Sequence, residues 1–437
     1  MGVLGMNLAG VGESETRFLA YVEGLSRVIG HADRVGPLKD YCVGLLMPGE
    51  RKSVEPMAAI TAPERTAAQH QSLLHFVAES SWSDNEVLSK VRELVQPSIE
   101  RGGPIEAWII DDTAFPKKGV HSVGVARQYC GQVGKQDNCQ VAVSLSIANH
   151  YASLPIAYRL YLPHDWAEDT RRRRKAKVPP DIEFKTKPEI ALEQIHAAHQ
   201  AGVPRGVVLM DAGYGSSTEL RMGISALELS YVAGIQPQTK VCALLPQRSK
   251  AAGVRPRARI PKPRRISVEK LAMSLPKRAW KKITWCEGSS DWLSSRFARV
   301  RARAAPADDK LAVHQPEQWI LIEWPKGEAK PTKYWLSTLP DVTSFERLVD
   351  MAKLRWRIER DYQELKQEVG LGHYEGRGWP GFHHHATLCI AAYGFLISER
   401  ETIPPSGPSC TALFSQLALP QGYQPRGTPD QARASHS

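Results

Sequence analysis

The sequence predicts an α/β protein built around a mixed β-sheet, and three observations carry that reading. Short apolar strands come as a row of three and then alternate with helices between residues 105 and 235, the layout of a sheet with flanking helices. Two of those strands run directly into an aspartate, Asp111 and Asp211, and sites gather where the strands of such a sheet end. Residues 354–366 hold neither proline nor glycine and are rich in Arg, Glu, Gln and Leu. That composition forms a helix able to pack across the strand ends.

Length and composition bound the answer. The 437 residues leave room for two or three domains with a sizeable core. Hydrophobic content of 42% and charged content of 24% are ordinary globular values, which confines disorder to local segments. Fifty-seven Lys and Arg against 46 Asp and Glu give +11. That excess favours a polyanionic partner, nucleic acid before membrane, since no amphipathic lipid-binding stretch stands out. Seven cysteines are scattered without a C-x-x-C pair, a pattern of reduced thiols. Met1 is not followed by a basic and then apolar leader. The apolar run 386–397 is broken by Tyr393 and Gly394 and is too short to span a bilayer. The expectation is a soluble, cytoplasmic protein.

Residues 1–100 read as a helical N-terminal domain, suited to DNA binding or to simple packing. Segments 17–22 and 71–77 carry apolar residues at helix spacing, Pro48, Pro56 and Pro63 punctuate the connections, and Ser83 opens a helix running through Val91 and Leu94. Residues 101–235 read as the first part of the sheet domain. Strands 105–110, 140–147 and 154–161 form an antiparallel meander; a basic turn, 116–119, follows the first of them. The run Arg171 to Lys177 reads as a mobile basic loop, 189–201 as a helix, 206–210 as a buried strand, 217–222 as a helix and 230–235 as a strand. Residues 236–340 read as a basic loop and β-rich insertion. Arg255, Arg257, Arg259, Lys262, Arg264 and Arg265 alternate with prolines, and strand signals resume at 282–285, 297–301, 319–324 and 334–337. Residues 341–400 complete the sheet domain with the helix that carries Glu359. Residues 401–437 form a tail rich in Pro, Gly, Gln and Ser, with its end disordered.

The chemistry begins on the late helix. Arg355, Glu359 and Lys366 lie four and seven positions apart and stack on one face. Alone, that stretch reads as a salt-bridged surface helix. The two upstream aspartates change the balance: Asp111, Asp211 and Glu359 converge if the two strands are neighbours and the helix crosses them. Oxygen ligands without thiolate or imidazole suit Mg²⁺ or Mn²⁺ and not zinc. Two such ions, roughly 3.5–4 Å apart, support phosphodiester displacement, with Arg355 and Lys366 holding phosphates. His383, His384 and His385 point in different directions on a helix and read as a polar helix start, not a metal site. Gly213 and Gly215 read as turn glycines. No phosphate-binding loop is present, so no ATP step is implied.

In residues 110–119, 123–129, 209–215 and 355–366 the chain resembles the bacterial insertion-sequence transposases of the DDE superfamily, of insertion-sequence 701 type. These are RNase H-like enzymes whose catalytic domain carries a β-strand insertion. The likeness covers most of the chain, from about residue 65 to about residue 400. It implies that Asp111, Asp211 and Glu359 form the catalytic, metal-binding triad for Mg²⁺ (or Mn²⁺). The family's first motif, Asp, any residue, then Ser or Thr, fits Asp111 with Thr113 and leaves Asp112 as the competing assignment. Its helix pattern Tyr-x₂-Arg-x₃-Glu-x₆-Lys is matched at Arg355, Glu359 and Lys366 and departs at Ala352. The likeness also implies that Trp335 stacks near a flipped base at the DNA end, while a buried strand-face tryptophan is the alternative. Lys117 and Lys118, beside Asp111, meet DNA phosphate or form a solvated basic turn. The implied protein is a DNA transposase that binds terminal inverted repeats, cleaves the ends and joins the 3′-hydroxyl to target DNA. It would work on double-stranded DNA as a homodimer in a synaptic complex, at the bacterial nucleoid and without a membrane. Two rivals remain at this point: a domesticated DNA-binding protein that does not cut, and an RNase H-like nuclease that does not join.

Overall fold

Residues 3–102 are mostly helical, since their apolar positions recur at three- and four-residue spacing. A computed structural model describes residues 3–243, 265–287, 291–305 and 316–402. It places α1 at Val3–Ser26, α2 at Val35–Leu46, α3 at Val54–Thr61, α4 at Thr66–Ala78 and α5 at Asp84–Gly102. Ser83 caps α5, its hydroxyl accepting from the Glu86 N–H at 3.2 Å.

The sheet follows: β1 (Ala107–Pro116), β2 (Ala126–Cys130), β3 (Lys135–Ala148) and β4 (Ser153–Leu160). Then come α6 (His164–Glu168), α7 (Thr170–Lys175), α8 (Lys187–Gln200), β5 (Val207–Met210), α9 (Ala212–Gly215), α10 (Thr218–Ala226) and β6 (Tyr231–Ile235). The later strands are β7 (Lys240–Ala243), β8 (Arg265–Ser267), β9 (Lys281–Glu287), β10 (Asp291–Ala304), β11 (Glu317–Trp324) and β12 (Lys333–Ser337), with α11 (Val268–Ser274) after β8. The described chain closes with α12 (Phe345–Lys353), α13 (Trp356–Gln367) and α14 (Trp379–Arg400).

Strands run in the order β2-β3-β1-β5-β6-β12-β11-β10-β7-β8, with β4 on β3 and β9 on β10. β1, β5 and β6 are mutually parallel, while β3 and β12 join that group antiparallel. This mixed sheet with flanking helices is consistent with the expected RNase H-like α/β fold. The strands of the 236–340 segment continue the same sheet, because β12 pairs with β6 from Tyr334↔Ile235 to Ser337↔Val232.

Several local expectations need correcting. β1 does not stop at Ile110 but runs to Pro116, since its antiparallel partner β3 is long enough to pair with all ten residues. A strand β2 that the sequence reading missed forms a hairpin with the start of β3. The basic run is no mobile loop over its first part: Asp169 caps α7, accepting from the Arg172 N–H at 2.8 Å, and Arg172 lies over the Trp166 ring at 3.8 Å. The late helix starts at Trp356, just after a break from α12 at Leu354 and Arg355. Arg255, Arg257, Arg259, Lys262, Arg264 and the tail from Ser406 lie outside the described residues.

α14 is the central helix of the helical layer, packed against α1, α2, α4, α5 and β4. The three histidines lie in its first turns and are buried, so they are not a polar helix start. His383 Nε2 faces the Leu160 N–H at 3.2 Å, and His385 Nδ1 meets the Tyr41 hydroxyl at 2.9 Å. His384 lies 3.0 Å from the carbonyls of Val77 and Trp82 and stacks on the Trp82 ring. Their different directions serve three separate ties between the early helices, β4 and α14. No described helix is long and apolar enough to cross a membrane.

Candidate active site

Alternation along β1 separates the two adjacent aspartates. Asp111, opposite Ser144 of β3, faces α13, and its Oδ2 accepts from Arg355 at 2.7 Å. Asp112 faces the other way. Its Oδ2 accepts from Lys187 at 2.9 Å and from the Tyr214 hydroxyl at 3.2 Å. The parallel pairing of β1 with β5 ends at Ile110↔Met210. Asp111 and Asp211 are therefore the next residue on each of two neighbouring strands. This is the strand-end relation the sequence predicts, seen on the β5 side only.

Asp211 caps α9, its Oδ1 accepting from the Gly213 N–H at 2.8 Å and the Tyr214 N–H at 3.1 Å. Gly213 and Gly215 thus belong to a short helix and not to a free turn. Gly215 packs so closely on β6 that a Cβ there would lie 2.0 Å from the Gly234 carbonyl oxygen.

Helix α13 supplies the third carboxylate. Ile358 and Leu365 are fully buried and hold one face of the helix against the protein. Glu359 stays 65% exposed on the other face, with its Oε1 2.6 Å from Arg355. One guanidinium therefore bridges Asp111 and Glu359. Burial pulls the Arg355 pKa down, but the charges of Asp111, Glu359 and Asp211 more than offset this and leave it raised. Burial pushes the Asp111 carboxyl up to about 7; Arg355 opposes that shift, and Asp211 adds to it. Two of the three expected carboxylates, Asp111 and Glu359, thus pair with one partly buried cation, and the charge of Asp211 also acts on it. Asp211, Arg355, Trp356 and Glu359 line one cavity of about 370 Å³, together with Trp335 and Lys353.

The donor set is all carboxylate oxygen, the chemistry that suits Mg²⁺ or Mn²⁺. Among the described residues no group of three or more His, Cys, Asp or Glu stands close enough to hold an ion as placed. The positive charge at the centre is the guanidinium of Arg355.

The other expected residues are placed unequally. Lys366 donates to the Ala114 carbonyl at 2.9 Å and lies over the Phe115 ring at 5.1 Å, further along β1 than Asp111. Lys117 donates to the Tyr374 carbonyl at 2.9 Å at the far end of β1, and Lys118 is exposed. Because β1 continues past Asp111, neither lysine sits beside that carboxylate. Trp335 lines the cavity, but it is only 8% exposed and faces Lys353, whose Nζ lies 5.8 Å from its ring centroid. Lys353 in turn pairs with Glu323 at 2.8 Å.

Sequence reasoning missed Lys187, Tyr214 and Lys353. The period of two in a strand was the available signal for the first two, since it sends Asp111 and Asp112 to opposite faces and demands a partner for each. Nothing local marks Lys353, which acquires its partners only when β9–β12 fold against α12.

A family model described as DDE superfamily endonuclease matches residues 24–291. A probable transposase for insertion sequence element IS701 from Microchaete diplosiphon is 32% identical over 195 residues. That stretch is 44% of this chain and 47% of the relative, so the chain matches about half of the relative's length.

Proposed function

Because this chain belongs to the DDE superfamily endonucleases, whose family model spans more than half of it, we propose that it is an insertion-sequence transposase. It binds the terminal inverted repeats of its element, cleaves the DNA ends and joins the liberated 3′-hydroxyl to target DNA. The observation that carries this reading is the contact of one guanidinium with Asp111 and Glu359 on a cavity shared with Asp211. Two carboxylates from remote segments share one cation, and the third, Asp211, lines the same cavity as that cation.

Asp111, Asp211 and Glu359 are the residues to hold Mg²⁺ or Mn²⁺. Such ions supply activation of water or a 3′-hydroxyl and neutralise the leaving oxygen. Arg355, released from the carboxylates, has forked donors that match a phosphate. Lys366, about two turns beyond Glu359 along the same helix face, offers a second positive charge to the same backbone. Trp335 borders the cavity where a displaced base would lie, and Lys117 and Lys118 extend positive charge along β1. The helices of residues 1–100 serve end recognition, residues 101–235 and 341–400 the chemistry, and 236–340 the insertion. Two ends must be joined together, which calls for a homodimer in a synaptic complex at the bacterial nucleoid.

The test uses Asp111→Asn, Asp211→Asn and Glu359→Gln, each checked for folding by circular dichroism. Cleavage of end DNA, and joining of pre-cleaved ends to a supercoiled target, are expected to fall to background in each. Strand transfer retained by any folded variant removes the triad. Cleavage without joining in the unaltered protein makes it a nuclease instead.

A further inference from the structure

Asp361 lies two positions after Glu359 on α13, yet it is only 2% exposed. Residues two apart on an α-helix lie about 200° round its axis, so whatever grips Asp361 turns Glu359 the opposite way. The grip is polar. Asp361 Oδ1 accepts from Ser153 Oγ of β4 at 2.6 Å and from the Tyr393 hydroxyl of α14 at 3.0 Å. Asp361 Oδ2 and Arg357 Nε have no hydrogen-bond partner among the described residues. Both side chains border a cavity of about 50 Å³.

The neighbouring Tyr362 adds a second fixed point. Its hydroxyl lies 2.8 Å from Ser144 Oγ, and Ser144 is the β3 residue directly opposite Asp111. Ile358 and Leu365 already give the helix its apolar hold, and apolar contact is non-directional. A buried carboxylate is costly to desolvate. What it adds is direction, because its two hydroxyl donors come from two different elements.

We propose that Asp361 is a positioning residue. It sets the rotation of α13 about its own axis and so aims Glu359 at Asp111 and Asp211. This role rests on Glu359 belonging to the reacting triad.

The experiment compares Asp361→Leu, Asp361→Asn and the double variant Ser153→Ala/Tyr393→Phe in the full-length protein. Ile195→Val, a buried packing change on α8, serves as the control. Single-turnover cleavage at saturating DNA is expected to fall by about 10²-fold in Asp361→Leu, the cost of misplacing a reacting group by about 1 Å. Affinity for end DNA stays unchanged. Binding of Mn²⁺ alone to the DNA-free protein, read by calorimetry, weakens in Asp361→Leu and not in the control. Asp361→Asn keeps an acceptor for both hydroxyls and recovers most of the cleavage. The double variant keeps the carboxylate and moves in the same direction as Asp361→Leu, which covers the case in which the leucine variant fails to fold. If the folded variants match Ile195→Val in turnover and in Mn²⁺ binding while Glu359→Gln is inactive, the positioning role is overturned and the triad stands. If Glu359→Gln also cleaves, the triad reading falls and this role falls with it.

Discussion

Arg355 and Asp111, 244 positions apart in the chain, meet in a 2.7 Å ion pair at the centre of the candidate site. The same guanidinium holds Glu359 at 2.6 Å. A fixed cation among carboxylates offsets their mutual repulsion while no other cation is bound. On the proposed reading it also occupies the charge-neutralising position that a divalent ion would take.

Arg355→Gln removes that competitor. Mn²⁺ binding by the DNA-free variant is expected to tighten by about tenfold or more, since a unit charge some 4 Å away is worth up to ~4 kcal/mol at an effective dielectric near 20. Cleavage falls at the same time, because the variant lacks a phosphate holder. Calorimetric titration with Mn²⁺ reads the first effect and an end-cleavage assay the second. Equal or weaker Mn²⁺ binding in Arg355→Gln shows that the guanidinium does not compete.

Asp112→Asn tests the assignment of the first carboxylate. Asp112 is occupied by Lys187 and Tyr214 on the far face of β1, so the variant is expected to keep cleavage within about tenfold. It loses about 1 kcal/mol of stability or less, the worth of a partly exposed ion pair. Asp111→Asn loses cleavage altogether. The reverse pattern reassigns the role to Asp112.

Much of this arrangement is legible in the residue order, and the failures have physical causes. Helix periodicity and strand-ending aspartates locate α13, β5 and the three carboxylates. The end of β1 was misplaced because Asp111, Asp112 and Thr113 look like a loop, whereas ten residues of pairing with β3 override that local preference. The error carried over to Lys117 and Lys118, which the longer strand removes from the carboxylates. The histidines of α14 show a second limit. Burial is decided by what folds against a residue, and no spacing rule states that His384 will stack on Trp82. The guanidinium bridge from Arg355 to Asp111 was illegible for the same reason, since only its Glu359 arm is local.

A cluster beside the sheet gives a pH dependence. His150 Nε2 lies 3.2 Å from Asp350 Oδ2, and Arg347 donates to the same carboxylate at 2.8 Å. The hydrogen bond to Asp350 raises the His150 pKa, against burial and Arg347, which lower it. A histidine whose folded pKa is raised stabilises fully below its unfolded pKa, and that contribution is lost as pH rises through the folded value. For Asp350, burial alone would raise the pKa, but His150 and Arg347 outweigh it and leave it lowered. Its contribution is therefore present above its unfolded pKa and lost as pH falls through the folded one. The His150–Asp350 pair is thus strongest between the two ranges. His150→Leu is expected to cost up to ~1 kcal/mol at pH 5.5, for a pair about one-third exposed, and less at pH 8.5. Denaturant midpoints at both values check this; a larger cost at pH 8.5 contradicts the sign.

Gly215→Ala tests how tightly Asp211 is held. A Cβ at residue 215 would lie 2.0 Å from the Gly234 oxygen and 3.1 Å from the Ala233 Cβ, while a Cβ at Gly234 would meet the Asp211 backbone at 2.9 Å. α9 and β6 therefore touch backbone to backbone, with Asp211 at the junction. A methyl group cannot enter without pushing α9 off the sheet, because the atom it strikes is main chain and has no rotamer to change. Overpacking of this kind costs about 1–3 kcal/mol. The displacement falls on the residue whose Oδ1 anchors α9 through Gly213 and Tyr214. Cleavage, measured well below the melting temperature, is expected to drop further than in a variant of equal measured stability altered away from the site. A Gly215→Ala protein with unchanged melting temperature and cleavage would mean that α9 and β6 separate freely, and that Asp211 owes its position to something other than this contact.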